Sequence, residues 1–158
     1  MRTAAAVLLI LVLPALLAAP RFVGAQAPGA AAPAPPPATL YQRLGGYDSL
    51  AVLTDDFVGR LTRDRTLVRY FTGVNDEAKG RMRQLMLDQL CAASGGPCVY
   101  PGRDMRSAHQ GLGLREADWA VTIGHLIASL DRFKVGPKEK DEVLQWVSRL
   151  KRDIVEKP

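Results

Sequence analysis

Apolar residues from Thr39 onward recur every three or four positions, as in amphipathic helices, and alternating strand patterns are scarce. Thr39 can cap a short helix that begins at Leu40 and ends before Gly45 and Gly46. A second helix is predicted to start at Asp48 or Ser49. Its apolar face consists of Leu50, Leu53, Phe57, Val58 and Leu61.

The middle of the chain predicts a break, a helix and a long loop. Gly73 and Asn75 mark the break, and a helix is expected over residues 81–93. One face of that helix carries Met82, Leu85, Met86, Gln89 and Leu90. Residues 94–103 hold three glycines and two prolines, which favours a loop, and a short helical turn follows over residues 104–110.

Two further amphipathic helices complete the pattern. The first begins near Arg115 and presents Trp119, Ile123, Leu126, Ile127 and Leu130. The last has Pro137 in its first turn, where the missing N–H of proline costs nothing, and presents Val143, Leu144, Trp146, Val147 and Leu150. The sequence therefore predicts an all-α fold of about five main helices, without an internal repeat.

Residues 1–25 have the layout of a secretory signal, with Arg2, an apolar run and small residues up to Ala25. An uncleaved membrane anchor is the alternative. Residues 26–38 contain five prolines and no charge, which is typical of an extended tether. We therefore expect an exported protein, periplasmic or secreted, whose folded domain spans residues 39–158.

Composition narrows the class of protein further. The chain has 158 residues, of which 47% are hydrophobic and 23% charged, as expected for one small globular domain. No stretch after the signal approaches the roughly 18 apolar residues of a membrane helix, so no stable span is expected after cleavage. The net charge of +5 is too small to indicate a nucleic-acid partner.

The two cysteines, Cys91 and Cys98, have six residues between them. This spacing is neither that of a zinc site nor that of a thioredoxin motif, and the C-x-x-C-H motif for covalent haem attachment is absent. Two interpretations stay open at this stage. The cysteines form a disulfide in an oxidising compartment, or Cys91 is a small buried residue and Cys98 a loop thiol.

Only two histidines, His109 and His125, are available for chemistry. His125 lies among apolar helical residues and is expected to pack at the edge of the core. His109 ends a short helix, one turn after Met105. Its Nδ1–H can donate to the Met105 carbonyl or to a neighbouring one, which would leave the other ring nitrogen as a metal ligand. No nucleophile, phosphate-loop or multi-histidine zinc signature occurs.

An ordered set of short motifs resembles the group I truncated haemoglobins. The matching segments cover most of residues 39–155 and are residues 40–46, 55–57, 70–73, 95–97, 100–105, 108–114 and 153–155. The resemblance implies a two-over-two helical sandwich around haem b. It also implies that His109 is the proximal iron ligand and that Phe71 packs on the porphyrin face.

The remaining pocket residues are expected to be mostly apolar. Met105, Leu114 and Trp119 are plausible proximal or edge walls, while several Arg and Lys residues could meet the haem propionates. Many relatives place a tyrosine and a glutamine on the distal side, but this chain has Val58 and Met86 there. Met82 adds a further apolar position and Gln89 a polar one. We expect fast oxygen loss and relatively favoured carbon monoxide or nitric oxide, with methionine ligation of the iron as an alternative in the gas-free state.

The function expected from the sequence is reversible binding of diatomic gases, O2, NO or CO, at haem b. An enzymatic alternative, nitric oxide dioxygenation or peroxidase-like turnover, would need bound oxygen to persist and a reductase or other electron donor. A helical interaction module that has lost its haem is a third class. The preserved His109 argues against that third class, and the apolar distal residues argue against efficient turnover.

Overall fold

The computed structural model describes residues 36–157 and is helical, which confirms the predicted fold class. It contains six α-helices and one short 3₁₀ turn within that range. The helices are α1 (Leu40–Arg43), α2 (Gly46–Arg63), α3 (Asp76–Ala93), α4 (Met105–His109), α5 (Glu116–Arg132) and α6 (Pro137–Ile154). The 3₁₀ turn spans Val68–Phe71. The predicted signal over residues 1–25 and most of the tether lie outside the described residues.

Two helices begin earlier than the sequence pattern predicts. The predicted start of α2 at Asp48 or Ser49 is wrong, because Gly45 takes a left-handed φ of 89° and leads directly into a helix that starts at Gly46. The predicted start of α3 at Arg81 is wrong as well. Asn75 caps α3 by accepting a hydrogen bond from the Ala78 N–H at 2.8 Å, and the polar first turn hides this start from the apolar repeat.

The four long helices pack around two clusters of buried apolar side chains. Helix α2 packs against both α3 and α5, and α5 packs against α6. Leu53, Leu126, Leu130 and Val143 form one buried cluster, contributed by α2, α5 and α6. Leu50, Leu87 and Cys91 form a second cluster between α2 and α3. Burial of such side chains, at about 1.5–3 kcal/mol each, is the main source of stability.

Cys91 and Cys98 form a disulfide, with their Cα atoms 5.7 Å apart. This resolves the open choice from the sequence in favour of the pair. Cys91 is fully buried at the end of α3, and Cys98 lies in the loop that follows, where residues 94–104 contain no helix, as predicted. The bridge therefore ties the end of α3 to the loop that leads into α4.

The C-terminal segment returns to the turn between α4 and α5. The backbone N–H groups of Glu156 and Lys157 both donate to the Leu114 carbonyl, at 2.9 and 3.1 Å. Arg115 and Lys157 form an isolated parallel β-bridge. The residues after α6 are thus fastened beside α4. Within residues 36–157, no helix combines the length and apolar character needed to cross a membrane.

Candidate functional site

A cavity of about 520 Å³ lies inside the helical core, and every long helix and α4 contribute to its lining. Most of the lining side chains are apolar. Helix α2 contributes Leu53, Thr54, Phe57 and Leu61, and the 3₁₀ turn contributes Tyr70 and Phe71. A volume of this size falls within the range of small-molecule and cofactor pockets.

His109 lies in this cavity wall at the end of α4. The side chain of Asp104 caps α4 by accepting the Ser107 N–H at 2.9 Å and the Ser107 hydroxyl at 2.7 Å. His109 Nδ1 lies 2.8 Å from the Met105 carbonyl oxygen, which confirms the predicted hydrogen bond. Because a carbonyl can only accept, Nδ1 carries the proton and Nε2 keeps a free lone pair for a ligand.

The turn after His109 is held from the C-terminal end of the chain. Gly111 and Gly113 have φ values of 86° and 67°, which favour glycine at both positions. Their N–H groups donate to the two carboxylate oxygens of Glu156, with Gly113 at 2.9 Å. The histidine is therefore fixed from both sides, by the capped helix before it and by this clasped turn after it.

Among the described residues, no group of three or more His, Cys, Asp or Glu side chains could hold a metal ion. His109 is also the only histidine that lines the cavity. The chain can thus offer a metal one imidazole nitrogen in this cavity. A metal held there through one imidazole nitrogen would take most of its remaining ligands from a bound molecule, as a metal carried by a macrocycle does.

The structure brings together all but one of the residues that the sequence singled out for the pocket. The cavity lining includes Phe71, Met82, Met86, Met105, Leu114 and Trp119, together with Gln89. Val58 differs, since it is buried at 8% exposure but does not belong to the described lining. Thr54, Phe57 and Leu61 occupy the cavity-facing side of α2, and Val58 lies further around the helix with a short side chain.

Sequence reasoning missed several polar groups in the wall, of which Thr54 on α2 is the most buried. It is 2% exposed, and its hydroxyl donates to the Leu50 carbonyl at 2.7 Å. The proton is thus engaged, and only the oxygen lone pairs are left for a neighbour. The signal was available, because Thr54 precedes Phe57 by three residues and so shares its helix face.

The other polar groups at the cavity are largely occupied by the protein itself. The Tyr100 hydroxyl donates to the Arg103 carbonyl at 2.7 Å, and burial raises the pKa of Tyr100, so the phenol stays neutral at physiological pH. Arg81, the only Arg or Lys in the lining among residues 36–157, is exposed and pairs with Glu77 one turn earlier on α3. Within the same range, Gln89 supplies the only side-chain amide in the wall.

A buried carboxylate behind the wall positions the 3₁₀ turn that carries Phe71. Asp118 is 2% exposed and accepts hydrogen bonds from Arg69 at 2.7 Å, the Tyr70 hydroxyl at 2.7 Å and the Arg115 N–H at 3.0 Å. Burial alone would raise the pKa of Asp118, but these hydrogen bonds outweigh it and hold that pKa below its usual value. The ionised carboxylate therefore fastens the turn to the start of α5.

His125 lies outside the cavity lining, as its predicted place at the core edge requires. Its Nε2 is 2.9 Å from an Asp64 carboxylate oxygen, and both side chains are partly buried. The hydrogen bond to His125 is the largest cause of the lowered pKa of Asp64. This pair links α5 to the turn after α2 and serves the packing of the helices.

Comparison with known proteins agrees with this architecture. The sequence profile of the bacterial-like globins matches residues 39–156. The group 1 truncated haemoglobin GlbN of Mycolicibacterium paratuberculosis is 32% identical over 118 residues, which cover 75% of this chain and 85% of that protein. A group 1 truncated haemoglobin of Tetrahymena thermophila is 25% identical, over 75% of this chain and 96% of its own length.

Solved structures show the same fold. The 2/2 haemoglobin of Synechococcus, in the cyanomet state with covalently attached haem, is 27% identical with a TM-score of 0.68. Truncated haemoglobin of Tetrahymena pyriformis in its Fe(III) form gives a TM-score of 0.69 at 23% identity. In both cases the match covers 75% of this chain and 98% of the other. The chain belongs to the bacterial-like globin family and, within it, to the group 1 truncated globins with their two-over-two fold. Membership of this family implies haem binding and a gas-binding role.

Proposed function

We propose that this protein holds haem b through His109 and reversibly binds a diatomic gas, O2, NO or CO, on the opposite side of the haem. The observation that carries the proposal is the His109 geometry. The Met105 carbonyl fixes the imidazole tautomer, so that Nε2 keeps the lone pair that can bind iron, in a cavity whose lining is mostly apolar.

The residues present fit a haem. The cavity volume of about 520 Å³ and its apolar walls suit a large apolar disc. Its only lining cation, Arg81, is exposed at the rim, where a propionate carboxylate could meet a charge-assisted donor. When bound, haem would supply the iron that binds the gas, and His109 would hold that iron.

Each lining residue would then have a defined part. Phe71, held by the Asp118 network, would pack against the porphyrin and restrain its tilt. Met105, Leu114 and Trp119 would form the proximal and edge walls, and Met82 and Met86 the distal one. Val58 would support α2 from behind this wall without touching the cofactor.

The distal side would retain oxygen poorly. Met82 and Met86 cannot donate a hydrogen bond, and the Thr54 proton is already given to Leu50. Gln89 is the only amide in the wall. Loss of one hydrogen bond to a polarised ligand costs about 1–3 kcal/mol, which is about fivefold to a hundredfold in affinity. We therefore favour gas binding over nitric oxide dioxygenation, which would need long-lived oxygen and an electron donor such as a reductase.

Replacement of the candidate iron ligand tests the proposal. The His109→Ala variant, reconstituted with haemin, should transfer its haem to apomyoglobin at least about tenfold faster than the original protein. The matched control is His125→Ala, which removes the histidine outside the cavity and should retain haem normally. If His109→Ala and the original protein keep haem equally well, with identical absorption spectra, another residue holds the iron and the proposal fails.

We also propose that residues 1–25 direct export, in keeping with a disulfide in the described domain, since such bonds persist in oxidising compartments. Expression of the full chain in a Gram-negative host should place the processed protein in the periplasmic fraction. A chain that lacks residues 1–25 should stay in the cytoplasm. If both versions fractionate alike, these residues are not the export signal.

A further inference from the structure

A second concave site lies next to the cavity that contains His109 (the gas cavity), and we propose that this second site binds a small phosphate-type anion. This basic cleft has a volume of about 450 Å³, and its walls include Arg69, Arg115 and Lys157. The turn from Gly111 to Gly113 forms its floor. Tyr70 and Leu112 line both the basic cleft and the gas cavity, so they separate the two sites.

The charges of the basic cleft are unbalanced. Three of its seven lining residues are cations, and none of the described lining residues is acidic. Two carboxylates, Asp118 and Glu156, lie nearby, so the three cations exceed the neighbouring negative charges by one. Asp118 is buried and accepts the Arg69 guanidinium, and Glu156 accepts the N–H groups of Gly111 and Gly113.

Arg115 and Lys157 have no such partner in the structure. Within residues 36–157, no carboxylate oxygen lies within 4.0 Å of either charged group, although 13 ion pairs form elsewhere in that range. Concentrated positive charge in a concave site attracts anions more strongly than the same charge spread over a convex surface. The basic cleft is therefore expected to attract an anion from solution.

The three cations are held close together by the backbone. Arg69 is fixed on the 3₁₀ turn through its contact with Asp118. Arg115 and Lys157 are joined by the β-bridge, and the Lys157 carbonyl accepts the Glu116 N–H at 3.2 Å. Because the backbones of three separate segments are fixed, a ligand has to order only the exposed side chains of Arg115 and Lys157 when it binds.

The chemistry of the cations selects the ligand class. An Arg guanidinium presents paired donors that match the oxygens of a phosphate, and a Lys ammonium adds a point charge. A phosphoryl group offers several acceptor oxygens and more than one negative charge, whereas chloride offers neither. One or two phosphoryl groups can thus engage donors on all three segments.

Titration of the haem-loaded protein with inorganic pyrophosphate at constant ionic strength tests the proposal. Calorimetry should show one saturable site, which an equivalent amount of sodium chloride does not reproduce. The Arg115→Gln/Lys157→Gln double variant should bind pyrophosphate at least about tenfold more weakly. The control is Arg149→Gln/Lys138→Gln, which removes the same charge from exposed positions of α6 and should keep the original affinity.

The haem-loaded form also distinguishes an anion-binding site from a site that the haem propionates themselves occupy. If haem propionates fill the basic cleft, the loaded protein will not bind pyrophosphate, and the proposal is overturned. Equal pyrophosphate affinities of the two double variants would also overturn the proposal, because they would show that binding depends only on the overall charge of the protein. Should Arg115→Gln/Lys157→Gln fold poorly, the single Lys157→Gln variant, which changes an exposed residue beyond α6, must by itself weaken binding relative to Lys138→Gln.

Discussion

Met86 lies on the cavity-facing side of α3, where the proposed function places the bound gas. Its thioether cannot donate a hydrogen bond, whereas a glutamine of similar length can. We predict that Met86→Gln slows oxygen dissociation by about tenfold, as one added hydrogen bond of about 1–1.5 kcal/mol requires. Stopped-flow displacement of oxygen by carbon monoxide measures this rate.

The matched control for that measurement is Met86→Leu, which preserves the apolar character and approximate volume. It should dissociate oxygen at the original rate. An unchanged rate in Met86→Gln would mean that position 86 does not reach the gas. Unequal rates for leucine and methionine would point to a direct role of the thioether sulfur.

Gly96 lies in a place where a side chain does not fit. A Cβ at this position would lie 2.6 Å from the Tyr41 ring, 2.7 Å from Cys91 Sγ and 2.9 Å from the Cys91 carbonyl oxygen. We predict that Gly96→Ala lowers the free energy of unfolding by about 1–3 kcal/mol, the usual cost of overpacking. Urea denaturation measures the change.

Gly124 provides the opposite case on a helix. A Cβ there meets no atom within 4 Å, and alanine is about 1 kcal/mol better than glycine inside a helix. Gly124→Ala should therefore leave stability unchanged or raise it. Equal free energies of unfolding for Gly96→Ala and Gly124→Ala would contradict the close approach of the loop to Cys91.

At the level of secondary-structure elements, Asp118 joins the 3₁₀ turn to α5. Its pKa is lowered in the folded protein, so its contribution to stability is complete above the unfolded pKa of about 3.9 and is lost as pH falls through the folded value. We predict that Asp118→Asn lowers the free energy of unfolding at pH 7 by about 1.5–3 kcal/mol and weakens its decline below pH 4.

Urea denaturation from pH 7 to pH 3 tests this prediction against Asp141→Asn, which alters an exposed aspartate on α6. The control should follow the original pH dependence. A parallel decline for Asp118→Asn would show that the acid sensitivity arises from other carboxylates. One such group is Asp56, whose pKa burial would raise but which hydrogen bonds from Arg60 and Ser129 hold below its usual value.

Elements with a sustained apolar repeat could be predicted from the sequence, and so could some of their ends, such as the cap at Thr39 and the start of α6 at Pro137. The repeat from Trp119 to Leu130 identified α5 because periodic burial is a property of one segment alone. The early start of α3 depends on the polar cap at Asn75, and the start of α2 depends on the backbone of Gly45. Both are local features that carry no apolar signal.

The site divides in the same way. The hydrogen bond from His109 to Met105 lies within one helical turn, so spacing could predict it, whereas the role of His109 as an iron ligand follows only from the resemblance to the truncated haemoglobins. The clasp from Glu156 and the bonds of Asp118 to Arg69 and Tyr70 join residues 43 to 49 positions apart, and only the folded chain brings them together. The rotation of α2 about its axis depends on packing against α3 and α5, and it leaves Val58 buried outside the described cavity lining.

At the level of the whole molecule, the disulfide restricts the unfolded chain as well as the folded one. A loop of this length, with Cys91 and Cys98 seven positions apart, contributes about 2–3 kcal/mol by restricting the unfolded ensemble. We predict that dithiothreitol lowers the free energy of unfolding by this amount. Urea denaturation with and without the reductant measures the difference.

The control for the reductant is the Cys91→Ala/Cys98→Ala double variant, whose stability should not respond to dithiothreitol. A response in this variant would show that the reductant acts by another route. If neither protein responds, the bridge does not form in solution or contributes nothing to stability.

The clasp of Glu156 on Gly111 and Gly113 has a consequence for biosynthesis. The two ends of this contact are separated by up to 45 positions along the chain. While the polypeptide is still growing, the segment that follows His109 has left the ribosome without the carboxylate that later secures it. We therefore expect the protein to hold haem firmly only after the residues around position 156 have also emerged from the ribosome. Haem binding would then be one of the last steps of biosynthesis.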